Sequence, residues 1–325
     1  MSPELTIAVV IPSWNSLGLL PRCLGSLAEQ GVEVELLVVD NGSTDGSLAY
    51  LEREGVRHLA LPRNVGFAAA VNLGARETSA ASILVLNADT ALGPGCVGAL
   101  LTALEADPSL GGVQPRILQL EGTAEALLPD PARARVYSAG QALTRDGRAL
   151  EEGAGELQGL AHLRRHEIFG VCGAACLLRR ELFDQLGGYD ESYFAFYEDV
   201  DFNVRARIAG WRFAYVPEPV VWHVGNASWS AGFARPDAEN ARLVARNRLA
   251  TQLKFMPLGA APRIVAVEAG SLWRAALQRR LRATLGGKLQ ALRWLPALRR
   301  ERRRLRGNGD LDLARRWLGV RSAAG

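Results

Sequence analysis

The sequence predicts an α/β fold, in which helices flank a mostly parallel sheet and a basic helical extension follows at the C-terminal end. Two observations support this class. Short apolar runs alternate with amphipathic stretches through the first third of the chain, which is typical of parallel strands joined by helices. In addition, positive charge is concentrated from residue 254 onward, which sets that segment apart from the body.

The predicted strands of the first third are continuous apolar runs, too short for most helices, as buried parallel strands require. They cover residues 6–11, 35–40, 56–61 and 82–87. Helices are predicted between them, over 17–29, within 42–54 and over 66–78. Leucines at spacings of three and four give the first helix an apolar face, and Ser and Thr are available to cap the second.

The second half of the chain is less regular. Residues 106–165 are rich in Gly, Ala and charge, and we expect irregular strands there with a mobile loop around 121–135. From Ile168 the pattern indicates strand, helix, turn, aromatic loop, helix and strand in succession. A short apolar strand then ends just before His223.

Composition narrows the class of protein. Hydrophobic residues make up 48% and charged residues 22% of the 325 positions, as in an ordinary soluble globular protein. We find no secretory signal and no apolar run of the roughly 20 residues that span a bilayer. Cys172 and Cys176 are four apart, but no matching Cys/His pair completes a zinc set, so the four cysteines are interpreted as structural thiols in a reducing cytoplasm.

The charge distribution separates the C-terminal segment from the body. The net charge is +4, but residues 254–325 hold 17 Lys and Arg against 4 Asp and Glu, which leaves the body net acidic. A basic helical stretch that also carries Trp and Leu is typical of a surface for anionic lipid or another polyanion. The alternative is an Arg-rich solvated helix packed on the body, and the sequence does not decide between them.

Polar clusters follow the predicted strands where each one ends. Asp40 follows the second strand, and Asn87 and Asp89 follow the fourth in "NADT". Ligands of open α/β sheets bind outside the carboxyl ends of the strands, so these side chains predict a ligand crevice with a cation site. The alternative is turn chemistry, since Asn and Asp are turn residues and "DNGS" is typical of an Asx turn.

Six segments in this order resemble the inverting glycosyltransferases of family 2, closest to their rhamnosyltransferase- and galactofuranosyltransferase-like members. They are "VVIPSWN", "LLVVDNGSTDGS", "LPRNVGFAAAVNLGA", "VLNADT", "GGYDESYFAFYEDVDFNVRARIAGW" and "WHVGNAS". The resemblance implies a GT-A fold, with a Rossmann-like sheet, over residues 1–250. It places the nucleotide-sugar-binding half at about 1–105 and the acceptor-binding half at about 106–250, and leaves 251–325 as the basic helical extension.

The resemblance implies a divalent metal, Mg²⁺ or Mn²⁺, held by Asp89. A hard cation often takes only one or two protein carboxylates and keeps phosphate and water as its other ligands. Asn87, which stands where family members more often have an acid, would lie beside the ribose or diphosphate. His223 would be a second metal ligand; the alternative is a structural histidine after a strand.

The acidic cluster "EDVD" is the implied catalytic group. Asp199 would be the general base that takes the proton of the acceptor hydroxyl, and Glu198 would orient the acceptor. Asp201 is expected to support the helix that follows. The alternative is that all three acids form a charge cluster at a helix N-terminus, where the macrodipole favours them.

The nucleotide-sugar site is expected at the ends of the first three strands. Asp40 would accept the N3–H of uracil or thymine, which favours UDP- or dTDP-sugars over purine donors. The resemblance adds residues around the base, ribose and diphosphate: Pro12, Trp14, Asn15, Arg63, Asn64, Gly66 and Asn72. Among these, Arg63 would contact the diphosphate, and Gly66 would let the backbone approach it closely.

The predicted function is transfer of a sugar, rhamnose in the first instance, to a glycan or polyprenyl-linked acceptor in cell-surface polysaccharide synthesis. The basic segment would hold the enzyme at the inner face of the membrane, and the sequence is compatible with a homo-oligomer. Two alternatives stay open: an inactive family member acting as a scaffold, and a nucleic-acid-binding protein led by its basic segment. No nucleic acid is expected, because the body is acidic and lacks a reader motif. A dehydrogenase is set aside because "PSWNSLG" replaces the G-x-G-x-x-G that it needs.

Overall fold

A ten-stranded mixed sheet forms the centre of the molecule. The computed structural model describes residues 6–120, 128–225, 236–308 and 316–318. The strands are β1 (Ile7–Ser13), β2 (Glu35–Asp40), β3 (His58–Ala60), β4 (Ser82–Leu86), β5 (Thr90–Leu92), β6 (Leu110–Gln119), β7 (Val136–Ser138), β10 (His166–Ile168), β11 (Ala175–Arg179) and β12 (Arg212–His223), with β8 (Gln141–Leu143) and β9 (Ala149–Glu151) in a separate hairpin.

Helices cover the sheet and continue beyond it. They are α1 (Leu20–Ala28), α2 (Ser47–Arg53), α3 (Phe67–Arg76), α4 (Cys96–Glu105), α5 (Arg180–Gln185), α6 (Glu198–Ile208), α7 (Pro236–Phe255), α8 (Ala261–Leu277), α9 (Leu281–Arg293) and α10 (Leu295–Asn308). The predicted fold class is confirmed, including the helical C-terminal region. The strands and helices predicted in the first third are all present, with ends that differ by a few residues.

The half of the sheet formed by β3, β2, β1 and β4 is parallel throughout. Its central strand is buried on both faces, with Val9 and Ile11 in one apolar cluster and Val10 in the cluster on the opposite face. Burial on both sides explains why this strand reads as a continuous apolar run rather than an alternating one. The parallel register sets Ser13 beside Asp40, so the polar ends of β1 and β2 meet at one edge.

The other half of the sheet is mixed, which the sequence did not predict. β11 runs antiparallel between β4 and β6, and β12 runs parallel to β6. The far end of β12 also pairs with the short strand β5, so that His223 lies opposite Thr90. This pairing brings the end of a late strand to the "NADT" turn after β4. Of the predicted loop around 121–135, residues 121–127 lie outside the described part of the chain, as do residues 226–228 of the "WHVGNAS" segment.

The C-terminal helices pack on the body through α7, which crosses the predicted domain boundary at residue 250. Near its end, the buried side chain of Lys254 places Nζ 2.7 Å from Asp201 Oδ1 and 3.3 Å from Asp190 Oδ2. Burial opposes ionisation of Asp201, but Lys254 and Arg205 outweigh it and hold its pKa below the usual range. Asp201 therefore anchors the start of the extension to the body. Among the described helices, none has the length and apolar character needed to cross a bilayer.

We expect Lys254→Met to lower the free energy of unfolding by about 3 kcal/mol, because it leaves the buried carboxylate of Asp201 with Arg205 as its one remaining cation among the described residues. Urea denaturation at neutral pH measures this change. Arg53→Ala is the control, since its ion pair with Glu54 is exposed and is worth at most about 1 kcal/mol. Equal losses in the two variants would contradict an anchoring role for the buried pair.

Candidate active site

A cavity of about 300 Å³ lies at the carboxyl ends of β1, β4 and β12 and at the start of α6. Of the predicted site residues, six line it: Pro12, Asn87, Asp89, Glu198, Asp199 and His223. These residues are far apart along the chain, and the fold brings them to one place. The acids and the histidine from the last strand therefore share a single cleft.

Asp89 and His223 face each other at the floor of this cleft. Asp89 Oδ1 lies 3.1 Å from His223 Nε2, and both side chains are buried. Asn87 Nδ2 lies 3.3 Å from the same imidazole nitrogen. The turn that carries these residues is closed by Thr90, whose backbone N–H and hydroxyl both donate to the carbonyl of Asn87.

The geometry of this pair fits a divalent cation. Two neighbouring ligands of an octahedral ion bound at about 2.1 Å lie roughly 3 Å apart, which is the separation of the Asp89 oxygen and the His223 nitrogen. Within the described residues, Asn87 Oδ1 and His223 Nδ1 are buried without hydrogen-bond partners. The ring of Tyr137 packs edge-on against the imidazole, with centroids 4.4 Å apart, and fixes its position.

Asp199 is held in place by hydrogen bonds to both carboxylate oxygens. Oδ2 accepts from Gln141 Nε2 at 2.8 Å and from the backbone N–H of Gly173 at 3.0 Å, and Oδ1 accepts from the backbone N–H of Val200 at 2.7 Å. Burial raises the pKa of Asp199, while these donors oppose the rise. A fixed carboxyl group with a raised pKa is suited to accept a proton.

Glu151 is part of the same cluster and was missed by sequence reasoning. Gln141 Nε2 donates to Glu151 Oε1 at 3.0 Å as well as to Asp199, and the Ser138 hydroxyl donates to the other Glu151 oxygen. Burial and the charge of Asp199 raise the pKa of Glu151 to about 7. The residue comes from the β8–β9 hairpin, in the segment whose sequence gave no clear periodicity.

Glu198 lies beside Asp199 at the first turn of α6. Its Oε2 is buried without a hydrogen-bond partner among the described residues, and burial together with Asp199 raises its pKa well above the usual range. A second group of possible metal ligands joins Asp199 to Glu151 and Cys172, with ligand atoms within 4.8 Å of one another. Burial raises the pKa of the Cys172 thiol and keeps it protonated, so this group suits a hard cation less well than Asp89 and His223.

The ends of β1 and β2 form the predicted nucleotide side. Asp40 Oδ2 accepts from the backbone N–H of Ser43 at 3.1 Å, so the Asx turn considered above is present. Asp40 Oδ1 and the neighbouring Ser13 hydroxyl, in contrast, are buried without partners in the described part of the chain. Turn formation thus uses one oxygen of Asp40 and leaves the other available to a ligand.

Three of the predicted nucleotide-site asparagines make hydrogen bonds within the protein. Asn15 Oδ1 accepts from the backbone N–H of Thr44 at 2.8 Å, and Asn64 Oδ1 accepts from the side chain of Asn41 at 3.0 Å. Asn72 binds both backbone groups of Tyr189, whose ring lies next to Phe67 of the cavity lining.

The remaining predicted residues lie around the same edge. Trp14 follows directly on β1 and is half-buried, and Arg63 is exposed after β3. Gly66 has φ +95°, and a Cβ there would meet Phe194 at 2.6 Å. Close approach at Gly66 therefore serves packing of the aromatic loop.

The loop before α6 is the aromatic wall of the cavity. Phe196 and Tyr197 line it, and Phe194, Phe196 and Tyr197 have φ values of 65°, 67° and 71°. Left-handed conformations in such residues cost on the order of 1–3 kcal/mol each and persist only where the surroundings enforce them. The chain immediately before Glu198 and Asp199 is consequently strained.

Solved structures share this architecture. The chain is similar to GalNAc-T7, solved with UDP, GalNAc and Mn²⁺, with a TM-score of 0.56 and 18% identity over 76% of this chain, which spans about half (48%) of that protein. It is also similar to residues 1–349 of Staphylococcus aureus TarS, solved with UDP-GlcNAc, with a TM-score of 0.54 and 17% identity over 96% of this chain and 90% of that one. A third is the mannosyltransferase PcManGT of Pyrobaculum calidifontis, solved with GDP-Man and Mn²⁺, with a TM-score of 0.52 and 18% identity over 97% and 87%. The fold is therefore that of the GT-A glycosyltransferases.

Sequence comparison then places the chain in a family. The model for glycosyl transferase family 2 matches residues 8–187, more than half of the chain, so the protein belongs to this family and is a glycosyltransferase. It is 33% identical, over 63% of its length and 71% of the relative, to an N-acetylglucosaminyl-diphospho-decaprenol L-rhamnosyltransferase of Mycobacterium tuberculosis. It is 26% identical, over 53% of each chain, to the low-salt glycan biosynthesis hexosyltransferase Agl10 of Haloferax volcanii. The predicted family is confirmed.

We expect the stability contributed by Glu151 to fall as pH rises. Its folded pKa of about 7 lies above the ordinary 4.5, so the contribution is complete below about pH 4.5 and is lost as pH rises toward 7. The unfolding free energy of the wild type, relative to Glu151→Gln, should fall by roughly 1–3 kcal/mol across this window. Urea denaturation between pH 4 and pH 8 measures it.

Ser138→Ala is the matched variant. It removes the hydroxyl that lowers the folded pKa of Glu151, so its loss of stability should begin at the same pH as in the wild type but continue to higher pH. Parallel pH profiles for the wild type and Glu151→Gln would show that Glu151 titrates normally.

Proposed function

We propose that the protein is a metal-dependent, inverting glycosyltransferase that moves rhamnose from dTDP- or UDP-rhamnose to a hydroxyl of a lipid-linked glycan. The observation that carries this is the convergence of Asp89, His223 and Asp199 on one cavity. Asp89 and His223 provide a cation site, and Asp199 provides a fixed base within the same cleft. The mycobacterial relative is named for rhamnose transfer to a polyprenyl-diphosphate sugar, which supports this choice of donor and acceptor.

The donor would lie across the ends of β1, β2 and β4. Asp40 Oδ1 and Ser13 Oγ, which are buried and have no hydrogen-bond partner among the described residues, would supply the polar edge that a pyrimidine base needs. Asp89 and His223 would hold Mg²⁺ or Mn²⁺, with Asn87 beside the ribose or diphosphate. When bound, such an ion neutralises negative charge on the leaving diphosphate.

Asp199 would take the proton of the acceptor hydroxyl as that oxygen attacks the anomeric carbon from the face opposite the leaving group. Gln141 and the backbone of Gly173 fix its carboxylate, so the base meets the acceptor in one orientation. Glu198 lies next to it and would orient acceptor hydroxyls. Phe196 and Tyr197 would pack against the apolar face of a sugar ring.

An inactive scaffold would also keep the family fold. The contacts of Asp199 favour the enzyme, because a helix N-terminal charge cluster needs neither the Gln141 amide nor a place on a cavity wall.

We expect the proposed donors to raise the melting temperature only with Mn²⁺ or Mg²⁺ present, because ligands that bind the folded state stabilise it by mass action. Asp89→Ala should abolish this shift. Asp199→Asn should keep the shift but lose turnover by about 10²–10⁴-fold, because it removes only the base. Thermal shift and product formation with a panel of nucleotide sugars measure both effects.

The two variants are each other's control, since one removes a binding group and the other a proton acceptor. Stabilisation by purine nucleotides alone would overturn the assignment of Asp40. Full turnover in Asp199→Asn would overturn the assignment of the base.

The extension would dock on an anionic membrane. Leucines at four positions on one face of α9 are 41–49% exposed, and Trp273 and Leu277 of α8 are 69% and 68% exposed. The four leucines, here called the α9 stripe, are Leu281, Leu285, Leu289 and Leu292. Exposed Arg282 and Arg293 stand directly beside the ends of the stripe. Apolar side chains flanked by arginines suit an anionic bilayer, whereas the strong positive charge of this segment opposes pairing with a second copy.

Replacing all four leucines of the α9 stripe with Ser should reduce sedimentation with vesicles containing phosphatidylglycerol by at least about tenfold, because the apolar contact with the bilayer is removed. The control variant, Leu157→Ser with Leu160→Ser, changes two leucines of the body that are 62% and 82% exposed. Equal sedimentation of both variants and the wild type would remove the membrane assignment.

A further inference from the structure

Helix α7 reaches the strained loop before α6 through one buried amide. The Asn247 side chain is fully buried, and its Nδ2 lies within hydrogen-bond distance of three carbonyls of the loop. The distances are 2.9 Å to Tyr193, 2.8 Å to Ala195 and 2.7 Å to Phe196. These three contacts reach three of four consecutive residues, 193 to 196, and define the path of the loop where its φ values are positive.

A neighbouring arginine fixes the orientation of this amide. Arg246 Nε donates to Asn247 Oδ1 at 2.8 Å, and Arg246 Nη2 donates to the carbonyl of Tyr193 at 2.7 Å. The guanidinium group in turn lies over the ring of Trp294, 4.7 Å from its centroid. With its oxygen held by Arg246, the amide must direct its N–H groups at the loop.

We propose that Asn247 is a positioning residue for this glycosyltransferase. It holds the loop from Tyr193 to Tyr197, and through it sets the start of α6, where Glu198 and Asp199 face the cavity. The carbonyl of Tyr197 accepts from the backbone N–H of Asp201 in the first turn of α6, so displacement of the loop displaces that turn. The proposal rests on the proposed role of Asp199 as the base.

A side chain that serves only folding would affect stability and leave the chemistry of folded molecules unchanged. The loop has other anchors, including the hydrogen bond of 2.9 Å between the Tyr193 and Thr251 hydroxyls. Loss of the amide should therefore loosen the loop while the rest of the fold is retained. Since burial raises the pKa values of Glu198 and Asp199, a loosened loop that admits water should lower them.

The test compares Asn247→Ala and Asn247→Ser with the wild type, and rates are expressed per donor-binding site measured by calorimetry with Mn²⁺. We expect kcat to fall at least about tenfold in Asn247→Ala and less in Asn247→Ser, which keeps one donor. The donor Kd should change less than about threefold, because the donor groups lie on other strand ends. The acid limb of the pH profile of kcat should move to lower pH.

Arg242→Gln is the matched control. Arg242 lies on the same helix, and its Nη1 donates to Gln290 Oε1 of α9 at 2.7 Å. Its ion-pair partner is Glu239. Within the described part of the chain, neither residue has a hydrogen bond or ion pair with the loop. Its kcat should equal that of the wild type. In an Asp199→Asn background, adding Asn247→Ala should cost less than about twofold, because the positioned group is already absent.

Wild-type kcat per donor site in either Asn247 variant, with an unmoved pH profile, would overturn the proposal. If Asn247→Ala does not fold, kcat per donor site and the pH profile of the milder variant Asn247→Ser decide the proposal. Failure of the proposed function would appear separately, as an Asp199→Asn variant that transfers sugar at the wild-type rate. The Asn247 variants are compared on whatever transfer the wild type performs.

Discussion

The cavity gathers four carboxyl groups and little positive charge, and this imbalance governs the site. Asp89, Glu151, Glu198 and Asp199 all line it, and among its described lining residues His223 is the only side chain that can carry a positive charge. Burial and mutual repulsion raise the pKa values of Glu151 and Glu198. Protons or a bound cation reduce the repulsion among these carboxylates, and the proposed reaction requires both a proton acceptor and a cation.

The change of strand direction across the sheet makes this gathering possible. The parallel half places the ends of β1, β2 and β4 at one edge, which is enough for a nucleotide site. The mixed half then returns β12 to the same edge and sets His223 opposite Thr90. The cleft thus lies between a regular half that the sequence pattern describes well and an irregular half that supplies Asp199 and His223.

This division explains what could be predicted from the sequence. Asp40 and Asp89 follow apolar runs, so parallel topology alone brings them to the same edge of the sheet, whereas Asp199 and His223 could be assigned only through family resemblance. Glu151 had no signal, because its place depends on a hairpin in a segment without clear periodicity. Asn72 shows a second limit of sequence reasoning. An asparagine after a strand or in a helix does not reveal whether its amide binds a ligand or, as here, the backbone of Tyr189.

The C-terminal helices both contact the body of the enzyme and present an exposed apolar surface. The layer of helices from α7 to α10 reaches the body on its inward side through Asn247 and Lys254, one contacting the loop before α6 and the other contacting Asp201 within α6. Its outward side exposes the leucines of the α9 stripe. Since Trp294, just beyond α9, stacks on Arg246, the same layer of helices links the exposed leucines of the α9 stripe to the loop that precedes Glu198 and Asp199. The boundary predicted at residue 250 from the family resemblance falls within α7, and the buried polar contacts on both sides of it join these helices to the body.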